Sequence, residues 1–98
     1  MVQSSGANTC KWLLAVQDGF AVEISFESFD LLCGSGSLKV YDGKDETGNL
    51  IGTFCGTNVP TVLVSADKNL YIVYSSTAET PPSSFKANWK KFASKYHV

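Results

Sequence analysis

The sequence predicts an all-β domain, a sandwich or a barrel, and three observations predict it. Apolar residues recur at every second position in most of its hydrophobic runs. Turn-forming residues separate those runs at regular spacing. No capping residue leads into a long segment with a 3.6-residue repeat. Period two places successive side chains on opposite faces, which suits a strand with one wet face, and many short strands divided by turns favour a sandwich or barrel.

The elements follow in order. "KWLLAV" is a short β-rich run. In "FAVEISFESF" the residues Phe20, Val22, Ile24 and Phe26 face inward, and Ala21, Glu23, Ser25 and Glu27 face water. "SLKVY" turns Leu38 and Val40 inward. "PTVLVS" is another short run, and "LYIVY" sets Leu70, Ile72 and Tyr74 against Tyr71 and Val73. "FKANWKKF" points Phe85, Ala87 and Trp89 inward, opposite Lys86, Asn88 and Lys90. Turns fall at Asp18-Gly19, Gly34 to Gly36, Asp42-Gly43, Thr47-Gly48, Asn58 to Pro60, Ala66 to Lys68 and Pro81-Pro82, where Gly, Pro, Asn and Asp supply turn geometry. "STAETPPSS" reads as an exposed loop before the last strand, and "ASKYHV" as a lightly docked tail.

Size and composition bound the function. The 98 residues make one domain, spanning 1–98, and 44% hydrophobic with 12% aromatic residues can fill a core. A net charge of -1 offers no electrostatic case for nucleic acid or an anionic membrane. No apolar run approaches the roughly 18 residues of a spanning helix, so no membrane insertion is expected. The opening "MVQSSGANTC" has neither the basic start nor the apolar middle of a signal peptide. There are three cysteines, none in a CxxC pair, and a single histidine, His97. A zinc site draws on about four close Cys/His ligands, so the simplest arithmetic is one disulfide with one cysteine left over, in an oxidising compartment.

Catalysis has no constellation to stand on. A nucleophile needs a base within hydrogen-bond reach, and the only histidine lies in the tail. Asp45 and Glu46 sit together in a turn, where solvated charge is the default. The glycines of "CGSGS" lead into a strand rather than a helix, so they make a connecting turn and not a phosphate loop. No enzyme activity and no cofactor are expected.

Read in order, the motifs form a pattern: Cys10-x-Trp12, "FESFDL", Cys33, "LKVYDG", "IGTFCG", a proline, "NLYIVYSS" and "SFKANW". This set resembles the CUB domain, an extracellular β-sandwich module, over about residues 7–92, with 93–98 as a tail. "LKVYDG…IGTFCG" carries the most weight. The resemblance implies an antiparallel sandwich, a CUB-like jelly roll shortened at its N-terminus, lacking the first strand or strands, with a sheet edge open to another copy or a partner's strand. It implies a disulfide between Cys33 and Cys55, which by loop-closure arithmetic stabilises by about 3 kcal/mol, and an inward Trp12 and Phe26. Cys10 stands in the place of the family's second cysteine without its partner. It is expected to lie outside any intrachain pair, to join an intermolecular disulfide, or to pack as a small apolar residue. Gly43 is expected to use its conformational freedom where the chain leaves the strand after Tyr41-Asp42.

Many members of the family bind calcium through acids in two of these segments and a later loop. Here Leu32 and Gly36 stand where two of those acids would be, and only Asp67 and Asn69 remain in the later loop. Calcium takes six or more oxygen ligands, so no metal site is expected. The function implied is a non-catalytic, extracellular or secreted interaction module, part of a larger secreted or membrane-attached protein, with an unidentified protein ligand. Its candidate contact loop is Asp42, Lys44, Asp45 and Glu46. The alternatives are a carbohydrate-binding sandwich, using Tyr71 or Tyr96 to stack on sugar and Lys86 and Lys90 to hold sulfate, and a self-assembling structural domain linked through Cys10 or an open edge. Lys86 and Lys90 are equally candidate contacts for an acidic partner.

Overall fold

A computed structural model describes residues 2–5, 9–31, 33–34, 36–58, 62–66, 68–77 and 84–93, with 2–5 and 93 described by backbone alone. The strands are β1 (Val2–Ser5), β2 (Thr9–Ala15), β3 (Phe20–Asp30), β4 (Gly36–Asp42), β5 (Asn49–Phe54), β6 (Leu63–Val64), β7 (Asn69–Ser76) and β8 (Ser84–Ala93). They form two four-stranded sheets, ordered β1-β8-β3-β6 and β2-β7-β4-β5, and all named pairs are antiparallel. Consecutive strands mostly lie in different sheets or apart in the same one, as in Greek-key sandwiches.

Alternation places the core. Val22, Ile24, Leu38, Val40, Leu70, Ile72 and Tyr74 are all fully buried, as the sequence requires of the inward parity of β3, β4 and β7. Phe85 of β8 is the aromatic hub. Its ring meets Trp12 edge-on at 5.4 Å, Tyr74 at 5.5 Å and Phe26 at 6.3 Å between centroids, within the usual range for aromatic pairs. Trp12 and Phe26 pack on the core margin and are half-buried.

The parity reading needs three corrections. Phe29 is buried although strict alternation would turn it outward with Glu27. A bulge between Phe26 and Ser28 inserts Glu27 as an extra residue, and this brings Phe29 opposite Phe85. Ala21, expected on the wet face, is buried, with Phe92 as its cross-strand partner. Trp89, expected inside, is 37% exposed. It lies opposite Ile24, but β1 reaches only to Val2 opposite Ala87. Among the described residues, the last six positions of β8 are flanked by β3 alone, so the indole is left partly uncovered.

The lead-in before Cys10 supplies β1 on the flank of β8. Among its described residues, "PTVLVS" yields the two residues of β6. That short strand is finished by Ser65, whose hydroxyl accepts the Val22 N–H at 2.8 Å while its own N–H donates to the Val22 carbonyl at 2.9 Å. The loop 76–84 contains Ala78 to Ser83, and the tail contains Ser94 to Val98. These residues lie outside the described ones, as do Leu32, Asp67, Tyr96 and His97.

Cys33 and Cys55 form the disulfide the resemblance implied, 22 residues apart in sequence. Beside it, Leu31 and Gly56 exchange backbone hydrogen bonds, with Leu31 N–H donating to the Gly56 carbonyl at 2.9 Å. Bond and bridge together tie the crossing from β3 to β4 onto the end of β5. Gly56 has φ of 96°, a conformation that glycine adopts at no steric cost.

Candidate functional site

The β4–β5 turn is the polar loop that sequence reading singled out, and its acids are engaged in building it. Asp42 ends β4, and both its carboxylate oxygens accept the Ala66 N–H at 3.1 Å, which ties this turn to the one before β7. Asp45 accepts the Thr47 N–H at 2.9 Å and the Thr47 hydroxyl, and its carbonyl accepts the Gly48 N–H at 3.1 Å. Glu46 reaches across the sheet to β2, where Lys11 donates to it at 2.9 Å. Lys44 is exposed. Gly43 has φ of 158°, so extended backbone is nearly reached, and what its missing Cβ provides is room beside Gly48, whose Cα would lie 3.1 Å away.

Hydrogen bonds from the Thr47 hydroxyl and N–H hold the Asp45 carboxyl below the ordinary aspartate value. The Lys68 ammonium, 2.6 Å away, does the same for Asp18, and Glu46 raises Lys11. A carboxyl depressed in the folded state adds stability that is present above its unfolded pKa and is lost as pH falls through the folded one. Asp18 is exposed and Asp45 half-buried in a surface turn, so the effect on global stability is small. In a carboxyl-detected NMR titration, Asp45 and Asp18 are expected to protonate below the ordinary aspartate range, and Thr47→Val is expected to return Asp45 toward it. That variant keeps the Thr47 N–H, so an unchanged Asp45 midpoint would remove the hydroxyl hydrogen bond as the main cause.

The other candidate contacts are not gathered in one place. Lys86 and Lys90 lie on the outer face of the first sheet, opposite in parity to the buried Phe85 and Ala87. The Lys90 ammonium sits 3.4 Å from Glu23. Beside them is a shallow hollow of about 150 Å³ lined by Glu23, Ser25, Asn88, Trp89 and Lys90. That is well below the roughly 300–1,000 Å³ of small-molecule sites. Tyr71 lies on the outer face of the other sheet, its ring 6.4 Å from Tyr41. Cys10 is half-buried and packs against the core.

Sequence reading missed what surrounds Tyr71. Register aligns Leu13, Tyr71, Tyr41 and Leu50 in one row across β2, β7, β4 and β5. Leu13 and Leu50 are each 51% exposed. The adjacent row is Lys11, Val73, Lys39 and Thr53. Parity within single strands hints at each residue, but nothing local says which strands are neighbours.

At the other end of β4, Gly36 sits against β7. A Cβ there would lie 2.2 Å from the Ser75 carbonyl oxygen and 2.8 Å from the Ser76 Cα, both backbone atoms. The position therefore excludes every side chain unless β4 and β7 part. Among the described residues, no group of three or more His, Cys, Asp or Glu comes together as a metal site.

Two antiparallel sheets, a disulfide at the foot of the β4–β5 hairpin and an aromatic core centred on Phe85 define a small disulfide-bonded sandwich module. The chain belongs to the CUB domain family, whose profile matches residues 2–89. It is 36% identical over 86 residues to bone morphogenetic protein 1 of Xenopus laevis, covering 84% of this chain and 12% of that protein. It is 32% identical to zinc metalloproteinase nas-39 of Caenorhabditis elegans, covering 82% of this chain and 9% of that one. The chain thus spans only a small part of these relatives. The CUB1-EGF-CUB2 region of human MASP-1/3 has the same fold, with a TM-score of 0.76 at 19% identity over 94% of this chain and 41% of the other.

Proposed function

We propose that this chain is a non-catalytic, extracellular protein-interaction module, one piece of a larger secreted or membrane-attached protein, working without the calcium site of many CUB domains. The observation that carries the reading is Gly36. A side chain such as the aspartate that a calcium-binding relative would place there has no room against the β7 backbone, which supports this reading. The acids of the β4–β5 turn add to this, because Asp42, Asp45 and Glu46 are each held by a partner within the chain. The relatives' proteinase name attaches to proteins of which this chain matches about a tenth or less, and the matched part is the CUB segment. No helix among the described residues is long and apolar enough to cross a membrane. A glycan-binding reading has less support, because Tyr71 and the lysines Lys86 and Lys90 lie on outer faces of different sheets.

The test is a screen of the bead-coupled domain against an array of extracellular proteins, run in millimolar calcium and in chelator, with calcium titrated calorimetrically beside it. Protein binding that is equal in both buffers, with no heat of calcium binding, is the expected result. Gly36→Asp is expected to destabilise the fold by about 1–3 kcal/mol, the cost of overpacking, and to bind no calcium. Binding abolished by chelator, or calcium heat in the parent chain, would overturn the reading.

A further inference from the structure

We propose that the outer face of the second sheet is the docking surface of this module, and that it takes a protein partner presenting apolar side chains beside an acidic residue. The inference rests on the protein-interaction reading above and names its surface.

The row Leu13, Tyr71, Tyr41 and Leu50 crosses all four strands, a span of roughly 14 Å at the usual strand spacing. A bulge in β5 opposite Val40 and Tyr41 adds Ile51, itself 37% exposed, beside Leu50. Two half-exposed leucines thus flank two half-buried tyrosines on a rigid sheet. Tyrosine is enriched at interface centres because it offers large contact area at low entropic cost, and contiguous exposed apolar surface is what a contact site presents. The wet face of the first sheet is more charged: Glu23, Lys86, Asn88 and Lys90 lie there, and its exposed apolar side chains, Val64 and Phe92, each 41% exposed, stand on β6 and near the end of β8 rather than in one row.

Charge selects the occupant. On the second sheet, Lys11 and Lys39 border the apolar row, two positions apart across Val73. Glu46 pairs with Lys11 over this face. Lys39 is exposed and makes no ion pair among the described residues. The face therefore carries one uncompensated cation next to apolar surface, and an acidic residue in the partner complements it. The β4–β5 turn is then the rim of this surface. Asp42 and Asp45 shape the turn, and Glu46 pins it to β2.

The experiment pans a random linear-peptide phage library on the intact parent chain, with depletion on Leu13→Glu/Leu50→Glu. Synthetic copies of the enriched peptides are then titrated into labelled protein. The expected peptides combine Leu, Phe or Tyr with Asp or Glu. They move amide signals of residues 11–13, 39–41, 50 and 71–73, and they bind the double variant roughly tenfold or more weakly, the scale of hot-spot loss. Lys39→Glu, a change at an exposed side chain that leaves the fold intact, is expected to weaken them several-fold. It should also remove much of their salt dependence. Thermal melts establish that both variants are folded.

Peptides that bind parent and variants alike, or that shift signals elsewhere, overturn the docking face while leaving the interaction module standing. Enrichment of basic peptides overturns the charge assignment. No enrichment on the parent counts against the face, and an ectodomain array that is also silent sinks the module reading with it. Sedimentation of the parent as a dimer that Leu13→Glu/Leu50→Glu dissolves would make a second copy the occupant, and glycan binding lost in the same variant would make it a sugar. Either result displaces the proposed partner.

Discussion

Phe85→Ala is expected to cost about 3–5 kcal/mol, the range for removing a buried aromatic ring, and to lower the urea midpoint of unfolding sharply. Phe85 is 1% exposed and its ring contacts Trp12, Phe26 and Tyr74. Trp12 and Tyr74 come from the second sheet, and Phe26 is on the neighbouring strand of the first. One side chain therefore joins both layers at the centre of the sandwich. Truncation opens a cavity bounded by rigid strands, which cannot collapse to fill it. Small domains have about 5–15 kcal/mol in hand, so the loss is a large share. Trp89→Ala, four residues along the same strand and of the same parity, is expected to cost less than half as much, because Trp89 is 37% exposed. Urea unfolding of both variants checks the pair. Equal losses would mean that the open flank beside β8 is covered in solution.

Cys33→Ser/Cys55→Ser carries the second large effect. The bond closes a loop of 22 residues in sequence separation. Chain-entropy arithmetic then assigns it about 3 kcal/mol, and for a domain of this size that corresponds to a drop in Tm on the order of 15 °C. The loss falls on the denatured state, which regains the freedom the crosslink removed. The folded state keeps its other tie at this point, the Leu31–Gly56 exchange. The double variant is therefore expected to keep the strand content of the parent by circular dichroism below its lowered Tm. Loss of the β-signal at all temperatures would show that the bond is needed to form the hairpin, and a Tm within a few degrees of the parent would show that the loop is ordered without it.

The strands and their buried faces were legible because alternation is local. Val22, Ile24, Leu38, Val40, Leu70, Ile72, Tyr74, Phe85 and Ala87 can each be placed inside from their own neighbours in the chain. Parity fails where a single extra residue resets it, as Glu27 does before Phe29, since nothing in "FESF" marks the bulge. It also fails at Trp89, where the environment depends on how far another strand extends. The Cys33–Cys55 bond was readable through the ordered motifs rather than from cysteine spacing alone, which leaves the pairing open.

By itself, then, the sequence determined the β class and the periodic core. These rest on residue types and short-range spacing. Only the tertiary structure decided which strands stand side by side. The order β2-β7-β4-β5 brings Leu13, Tyr71, Tyr41 and Leu50 into one row from four separate stretches of chain. The same pairing lays Glu46 on Lys11 and presses Gly36 against the backbone of β7. Register between distant strands is set by burial over the whole sheet, so a surface built across strands has no local signature. Its residues become a site only when the sheet assembles.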